Sequence, residues 1–224
     1  MLNINEIYLL NSVLDNNEIY GLDKEKTLNF KEKQDDELKS LKEKKIINED
    51  NSFNDISYLI VKNLEKYKAA KSYLWINESV FSIDDTENLL MFKKNEEEYD
   101  FKKLPKIYLL ISLIKENEIL NINKEIKDSN KIKINAEDFV QDYAVKSKTK
   151  NALIIRKESG NYIKIPTYYK VFFEKDSSYY CYDVLNEELE KYNPYDAKLE
   201  IINLLYPNRR WNNGFIYWLL WWIL

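Results

Sequence analysis

The amino-acid sequence repeats part of itself at a spacing of 100 residues. The run Ile7–Leu10 recurs as Ile107–Leu110, Ser12 recurs as Ser112, and residues 17–19 recur as residues 117–119. Of the 13 positions from 7 to 19, eight are identical to the position 100 residues later. Because this spacing is close to half of the 224-residue chain, it predicts two halves of similar architecture, residues 1–104 and 105–224.

Each half has helical patterns followed by short strand-forming runs. Hydrophobic periodicity predicts helices over residues 5–16, 35–45, 56–70, 106–115, 136–145 and 196–205. Aromatic and β-branched runs between polar turns predict strands over residues 27–30, 73–76, 79–83, 89–92, 99–101, 152–155, 162–165, 169–173 and 179–184. This order predicts an α+β fold in which two duplicated halves, each with helices and a β-meander, form a pseudo-twofold arrangement around one central antiparallel sheet.

The composition excludes most of the common catalytic and cofactor-binding sites. The chain has no histidine, one cysteine and three isolated glycines. Without histidine there is no Ser-His-Asp or Cys-His pair and no His-ligated metal, and one cysteine forms neither an intrachain disulfide nor a Cys-rich zinc site. Three isolated glycines cannot build a Walker loop or a dinucleotide-binding loop. We therefore expect a non-enzymatic, cytoplasmic protein with no cofactor and no metal.

The first 60 residues have the element order of a winged helix, which ends in a polar-tipped hairpin at residues 45–53. In a DNA-binding interpretation, helix 35–45 enters the major groove and Lys42, Lys44 and Lys45 contact phosphates. The same helix has four acidic residues and no arginine, and the chain has a net charge of −4. Because such a field does not favour phosphate backbones, we expect a winged-helix-like N-terminus that does not bind nucleic acid.

Acidic residues form three clusters that could bind a divalent cation if the fold brought them together, at residues 35–36, 84–85 and 96–98. In helix starts and polar turns, however, acidic residues more commonly cap helices or stay hydrated. Glu43-Lys44-Lys45 fits the short E-x-K pattern of metal-dependent nucleases, but no apolar strand ending in Asp precedes it at a suitable distance. Cys181 is interpreted as a small buried residue, since no histidine is present to lower its pKa.

Tyrosines are concentrated in the second half, where strand 179–184 contains three of them. Alternation places Tyr179 and Cys181 on one face of the strand and Tyr180 and Tyr182 on the other. One of these aromatic faces is expected to be core and the other an exposed platform. Tyr180 and Tyr182 are therefore candidate partner-binding residues, because tyrosine and tryptophan are common anchors of protein interfaces.

Residues 214–224 form an uncharged apolar run that includes Trp218, Trp221 and Trp222. As a helix, 11 residues span about 16 Å, whereas a bilayer core is about 30 Å thick, so no transmembrane segment is predicted. The run is open to four interpretations: a last core element, a docking segment for another protein, a membrane-interface segment, or a truncated or shifted reading frame. The three tryptophans are further candidate partner-binding residues, because exposed apolar patches mark binding sites.

Several runs resemble the EspG-like proteins associated with type VII secretion: residues 6–10, the step Gly21-Leu22, residues 41–47, and the helix through residues 64–67 that leads into the strands. The resemblance extends to about residue 205 and does not include the last ten or so residues. It implies a quasi-twofold α+β fold around an antiparallel sheet. It also implies a cytosolic chaperone that binds the helical tip of a small secreted protein or heterodimer of WXG type, without any chemistry.

Two functions from different classes follow from these patterns. The first is a non-enzymatic chaperone or adaptor for type VII secretion, and the alternative is a winged-helix transcription regulator with a sensing or dimerisation half. A regulator should have a continuous lysine-rich face across residues 42–45 and its wing, whereas a chaperone should have an aromatic face. A third hypothesis, a metal-dependent nuclease, requires three carboxylates in one cleft. The sequence leaves the client and the oligomeric state open.

Overall fold

The computed structural model describes residues 1–15, 17–22, 34–84, 88–95, 98–120, 131–145, 152–160 and 163–206. The α-helices in these ranges are α1 (Ile4–Asn11), α2 (Gln34–Glu43), α3 (Asp55–Lys68), α4 (Lys106–Glu116), α5 (Ala136–Phe139) and α6 (Pro194–Leu205). In place of the helix predicted over residues 136–145, α5 ends at Phe139 and a π-helical turn continues over Val140–Val145. None of the helices in this described part of the chain is long and apolar enough to cross a membrane.

The strands of the described residues form one ten-stranded sheet in the order β1-β5-β4-β3-β2-β7-β8-β9-β10-β6. They are β1 (Leu2–Asn3), β2 (Ser72–Ile76), β3 (Ser79–Ile83), β4 (Asn88–Asn95), β5 (Glu98–Pro105), β6 (Ile132–Lys133), β7 (Leu153–Ser159), β8 (Ile165–Lys175), β9 (Ser178–Asp183) and β10 (Glu188–Lys191). The predicted α+β class with a large antiparallel sheet is thus confirmed. The strand predicted at residues 27–30 lies outside the described residues.

The chain divides into two compact units. Unit 1 comprises residues 1–73, 78–84 and 89–103, and unit 2 comprises residues 74–77, 85–88 and 104–224.

In unit 1, a buried carboxylate joins α1 to α2. Asn3 and Glu6 form a capping box, in which Oδ1 of Asn3 accepts from Glu6 N at 2.9 Å and Oε2 of Glu6 accepts from Asn3 N at 2.7 Å. The fully buried Glu6 side chain also accepts from Ser40 Oγ at 2.7 Å and from Lys44 Nζ at 2.8 Å. Lys44 Nζ lies 3.2 Å from Glu98 on β5 as well, so this cation, one residue after the end of α2, pairs with two carboxylates.

The core of unit 1 contains a cluster of aromatic rings. Tyr67 on α3 packs edge-on against Phe92 on β4, with ring centroids 4.9 Å apart, and Phe92 stacks on Phe101 at 4.2 Å. The Tyr73 hydroxyl donates to the Tyr67 carbonyl at 2.7 Å, and the Tyr67 hydroxyl donates to the Tyr20 carbonyl at 3.0 Å. Both buried hydroxyls therefore have partners, as burial of a tyrosine requires.

The region predicted to form a wing is a turn with one bridge. After α2 the backbone reverses at Lys45, whose φ is 57°, and a single antiparallel bridge joins Ile47 to Phe53. The intervening turn contains Asn51 at a φ of 67°, a conformation that asparagine tolerates better than most residues. Within the described range 34–84, the hairpin predicted at residues 45–53 has this bridge alone.

In unit 2, α6 contacts one face of β8. Glu200 on α6 accepts from the Tyr168 hydroxyl at 2.7 Å and from Lys170 Nζ at 2.9 Å. Tyr168 and Lys170 are alternate residues of β8 and share a face with Phe172. Phe172 pairs with Cys181 across the β8–β9 register and packs edge-on against Tyr192, with centroids 5.2 Å apart.

Strand β8 differs from the sequence prediction. Two strands are predicted at residues 162–165 and 169–173, but β8 is continuous from Ile165 to Lys175, while Ile163 and Lys164 precede it and residue 162 lies outside the described residues. Pro166 lies opposite Glu158, next to a register shift between Lys157 and Glu158. Such irregularities accommodate proline because its missing N–H is not needed there.

We expect Lys44→Met to lower the free energy of unfolding by about 1–3 kcal/mol, because it leaves the buried Glu6 carboxylate without its cation. Lys39→Met is the matched control, since Lys39 is exposed on α2, which ends one residue before Lys44, and its change should stay within about 0.5 kcal/mol. Urea unfolding of both variants measures the two differences. Equal losses in both variants would contradict the assigned role of Lys44.

We expect Cys181 to be inert towards a chromogenic disulfide reagent at pH 8 in the folded protein and to react after denaturation. Burial raises the pKa of its thiol to about 12 from the ordinary 9.0, so the reactive thiolate is scarce. Since the unfolded chain loses this proton first, the group's contribution to stability falls as the pH rises above 9.0 towards 12. Rapid stoichiometric labelling of the folded protein at pH 8 would show that the thiol is accessible.

Candidate functional site

A groove lies in unit 2 on the face of the sheet opposite to α6, between α5 and strands β7, β8 and β9. We call it the α5 groove, and its volume is about 310 Å³, near the lower end of the range for binding pockets. Among the residues that the structure describes, its lining contains no charged side chain and consists of Ala136, Phe139, Val140, Tyr143, Ala152, Ile154, Tyr169, Val171, Phe173, Tyr182 and Val184.

Strand alternation produces the apolar floor of the groove. On β8, Tyr169, Val171 and Phe173 face the groove, whereas the intervening residues face α6. The antiparallel registers place Ile154 of β7 and Tyr182 of β9 opposite Val171. Three neighbouring strands therefore contribute apolar side chains to the same row.

Aromatic stacking holds α5 as the wall of the groove. The Phe139 ring stacks on Tyr182, with centroids 3.9 Å apart and an interplanar angle of 12°. Phe139 also packs edge-on against Phe173 at 5.6 Å and stacks on Tyr143 at 5.8 Å. Together with Leu189 of β10, Phe139, Phe173 and Tyr182 form the buried cluster under this wall.

Part of the groove lining is exposed. Ile154 is 38% exposed and Val140 is 47% exposed, although both are large apolar residues. The backbone of Ile154 is fixed, since its N–H donates to Asn77 Oδ1 at 2.9 Å and its carbonyl accepts from Asn77 N at 3.0 Å. The floor is thus a rigid strand with an uncovered apolar side chain, as in a docking surface.

A cation lies against a tyrosine ring at each end of the groove. The Arg156 guanidinium carbon is 5.8 Å from the Tyr169 ring centroid and 5.0 Å from that of Trp75. At the other end, Lys175 Nζ is 4.2 Å from the Tyr143 ring centroid. Cation–π contacts of this kind are each worth about 0.5–2 kcal/mol and fix the rings that border the groove.

Arg156 is also an ion-pair partner. Its Nε lies 2.9 Å from Oε1 of Glu158, although the geometry is not that of a hydrogen bond. Burial raises the pKa of the Glu158 carboxyl, which is consistent with its small exposed surface.

Of the two predicted tyrosines, Tyr182 lines the groove and Tyr180 does not. Tyr182 lines it but is only 1% exposed, and its hydroxyl donates to the Ile134 carbonyl at 3.2 Å. Tyr180 is half-buried and stacks on Phe173 with centroids 5.6 Å apart. Tyr182 therefore supports the floor beneath Phe139, while Tyr180 keeps part of its surface free of protein contacts.

The remaining predicted partner-binding residues, Trp218, Trp221 and Trp222, lie outside the described residues. So do Asp85, Glu96 and Glu97 of the acidic clusters. Among the residues that the structure does describe, no three Asp, Glu or Cys side chains come close enough to hold a metal ion.

A second cavity, in unit 1, has charged side chains in its lining. It has a volume of about 520 Å³ and is lined by Leu14, Asp15, Asn17, Glu18, Glu65, Lys68 and Ala69. Lys68 Nζ donates to Asp15 and, at 2.9 Å, to Asn11 Oδ1, and the hydrogen bond from Lys68 lowers the pKa of Asp15. Because its cation is satisfied within the chain, we assign the candidate site to the α5 groove.

Sequence reasoning missed most of the groove. It placed Phe139, Val140 and Tyr143 on a helix but assigned them no function, and it did not single out Ile154 or Val171. The available signal was the alternation along β8, in which Tyr169, Val171 and Phe173 share one face of the strand. Tyr168, Lys170 and Phe172 share the other face. Such alternation shows two different faces, but not which element covers each.

Comparison of the chain with known proteins identifies its family, whose description assigns no function. No curated protein matches the chain. Residues 1–206 match a family described as a domain of unknown function, DUF5081. Since this match covers far more than half of the 224 residues, the chain belongs to the DUF5081 family.

Proposed function

We propose that this chain is a non-enzymatic binding protein that holds an apolar segment of a partner protein in the α5 groove. The observation that carries the proposal is the uncharged lining of the groove, in which Ile154 and Val140 are exposed on a rigid frame. Apolar, partly aromatic depressions on fixed strands are the usual receptors for the anchor side chains of a partner.

The resemblance to EspG-like proteins supports a specific partner class. In that interpretation the chain is a cytoplasmic chaperone, and its partner is a small helical secreted protein or heterodimer. An amphipathic helix would insert apolar residues at i, i+3 or i+4 spacing into the groove, so that its apolar stripe is shielded from water before export. This role requires complementarity of shape and polarity and no catalytic residue.

The finer description of the fold is part of the same proposal, with residues 1–104 and residues 105–224 as the two products of a duplication. Helices α1 and α4 each begin directly after a strand of the sheet. The repeated residues Ile19 and Ile119 are both fully buried, but Tyr8 is buried while Tyr108 is 63% exposed. These pairs support a shared framework whose two copies bury different side chains.

The regulator alternative has less support from the described residues. It requires lysines at 42–45 that are available to phosphates, yet Lys44 pairs with Glu6 and Glu98. Glu6 and Glu98 therefore neutralise Lys44, which lies at the centre of the predicted basic face. DNA recovery is therefore an outcome of the test below and not a second proposal.

We expect Ile154→Glu to reduce recovery of the co-purifying partner by about tenfold or more, because an uncompensated carboxylate in an apolar contact costs over about 1.4 kcal/mol. The measurement is an affinity purification of the tagged full chain from its native cells, with partner stoichiometry by quantitative mass spectrometry and nucleic acid by absorbance ratio.

Ile163→Glu is the matched control, since Ile163 is 76% exposed in the same unit and does not line the groove. The control should retain the partner, and circular dichroism should show both variants folded. Equal recovery with Ile154→Glu and Ile163→Glu would exclude the groove as the binding site. Recovery of DNA without a stoichiometric protein would favour the regulator.

A further inference from the structure

We propose that the helix held in the α5 groove has an acidic side chain beside its apolar stripe, and that Arg156 binds this carboxylate. The inference rests on the proposed function, because it concerns the same groove. It adds the chemistry that selects one apolar helix over another. The partner class is thus a protein with an amphipathic helix in which a carboxylate lies about one turn from an apolar anchor.

Arg156 borders the apolar floor at one end of the groove. On β7 it follows Ile154 by two residues, so both side chains lie on the same face of the sheet. The register places Arg156 opposite Tyr169, which lines the groove. Two residues of a strand span about 7 Å, close to the rise of about 6 Å over four residues of a helix. A helix that lies along the strands with an apolar anchor on Ile154 therefore brings a side chain four residues away to Arg156.

The Arg156 guanidinium is held in place, yet its donors are unused among the residues that the structure describes. It lies against the Trp75 and Tyr169 rings, 5.0 and 5.8 Å from their centroids. None of its five N–H groups donates a hydrogen bond within the described ranges. Because the side chain is 33% exposed, a carboxylate from outside the chain can reach it.

The ion pair with Glu158 leaves this capacity in place. Arginine binds a carboxylate in a specific geometry, through two parallel N–H···O hydrogen bonds. Oε1 of Glu158 lies 2.9 Å from Arg156 Nε, but without the geometry of a hydrogen bond. An incoming carboxylate that accepts from two guanidinium N–H groups therefore supplies the contact that Glu158 does not make. Since Glu158 shares the positive charge, most of the gain should come from these hydrogen bonds.

Lys175, the cation at the other end of the groove, is not assigned this role. Its Nζ already donates to the Asp142 carbonyl at 3.2 Å and lies 4.2 Å from the Tyr143 ring centroid. Asp142 and Asp176 are adjacent in sequence to these two residues, so carboxylates of the chain are already present at that end. Because like charges disfavour a wrong arrangement, the acidic residue of the partner is expected at the Arg156 end, which also orients the partner in the groove.

Two synthetic peptides test the inference on the purified full chain. Each is about 18 residues long, or about 27 Å as a helix, with leucines at i, i+3, i+4 and i+7 on a background of alanine and glutamine. A hydrocarbon staple on the opposite face keeps both peptides helical. One peptide has glutamate four residues before the first leucine and four residues after the last, so that it serves either direction of the helix. The other has glutamine at both positions.

We expect the glutamate peptide to bind about tenfold tighter than the glutamine peptide at low ionic strength, because a charge-assisted bidentate contact is added. Fluorescence anisotropy measures both dissociation constants. Arg156→Gln should make the two affinities equal. Arg156→Gln combined with Glu158→Gln should do the same without leaving a buried carboxylate unpaired, so a folding defect of the single variant does not decide the outcome. Lys191→Gln, which removes an exposed cation of the same unit, should keep the preference.

Equal binding of the two peptides to the unchanged protein would overturn the carboxylate contact and leave the apolar groove as a binding site. A preference for glutamate that persists in both Arg156 variants would also overturn it, since another cation would then be responsible. Binding of neither peptide would overturn it together with the docking of an amphipathic helix. Weaker binding of the glutamine peptide to Ile154→Glu reports on the proposed function alone, so the two proposals fail separately.

Discussion

The stacking of Phe139 on Tyr182 is the contact on which the candidate site depends. Helix α5 is only four residues long, far below the length at which a helix is stable by itself. Its position against β9 is therefore determined by the ring contact at 3.9 Å and by the neighbouring Phe173. Among the described residues, this short wall covers only part of the sheet face, and Ile154 on the floor beside it is 38% exposed.

The two faces of β8 have different roles, because successive side chains of the strand lie on opposite faces. On one face, Tyr168 and Lys170 bind Glu200 and hold α6, which makes that face part of the core. On the other face, Val171 continues the apolar floor towards the exposed Ile154. A strand anchored on one side and partly uncovered on the other supplies rigidity at the place where a binding surface needs it.

Much of the fold could be predicted because the longer elements have clear local signals. The capped helix α3 and the strands β3 and β9 follow from periodicity and turn residues, and the antiparallel sheet follows from their order. The two-residue strands β1 and β6 could not be predicted, since two residues show no periodicity. Their pairing is decided by β5 and β10, which lie far away in sequence.

The site was harder to predict than the fold, for a physical reason. Tyr180 and Tyr182 share a face by alternation, but the 1% exposure of Tyr182 results from Phe139, about 40 residues earlier in the chain. No local pattern encodes which helix covers which face of a strand. Likewise, the pairing of Lys44 with Glu6 is a tertiary contact, so a lysine-rich run in the sequence does not by itself give a basic surface.

Hydrogen–deuterium exchange of the full chain, alone and in complex with its co-purified partner, tests the central claim most directly. If the partner binds in the α5 groove, the added protection should concentrate in residues 136–145 and 153–156, which form the wall and part of the floor. Added protection confined to unit 1, above all to residues 34–53 around α2 and its turn, would contradict the account.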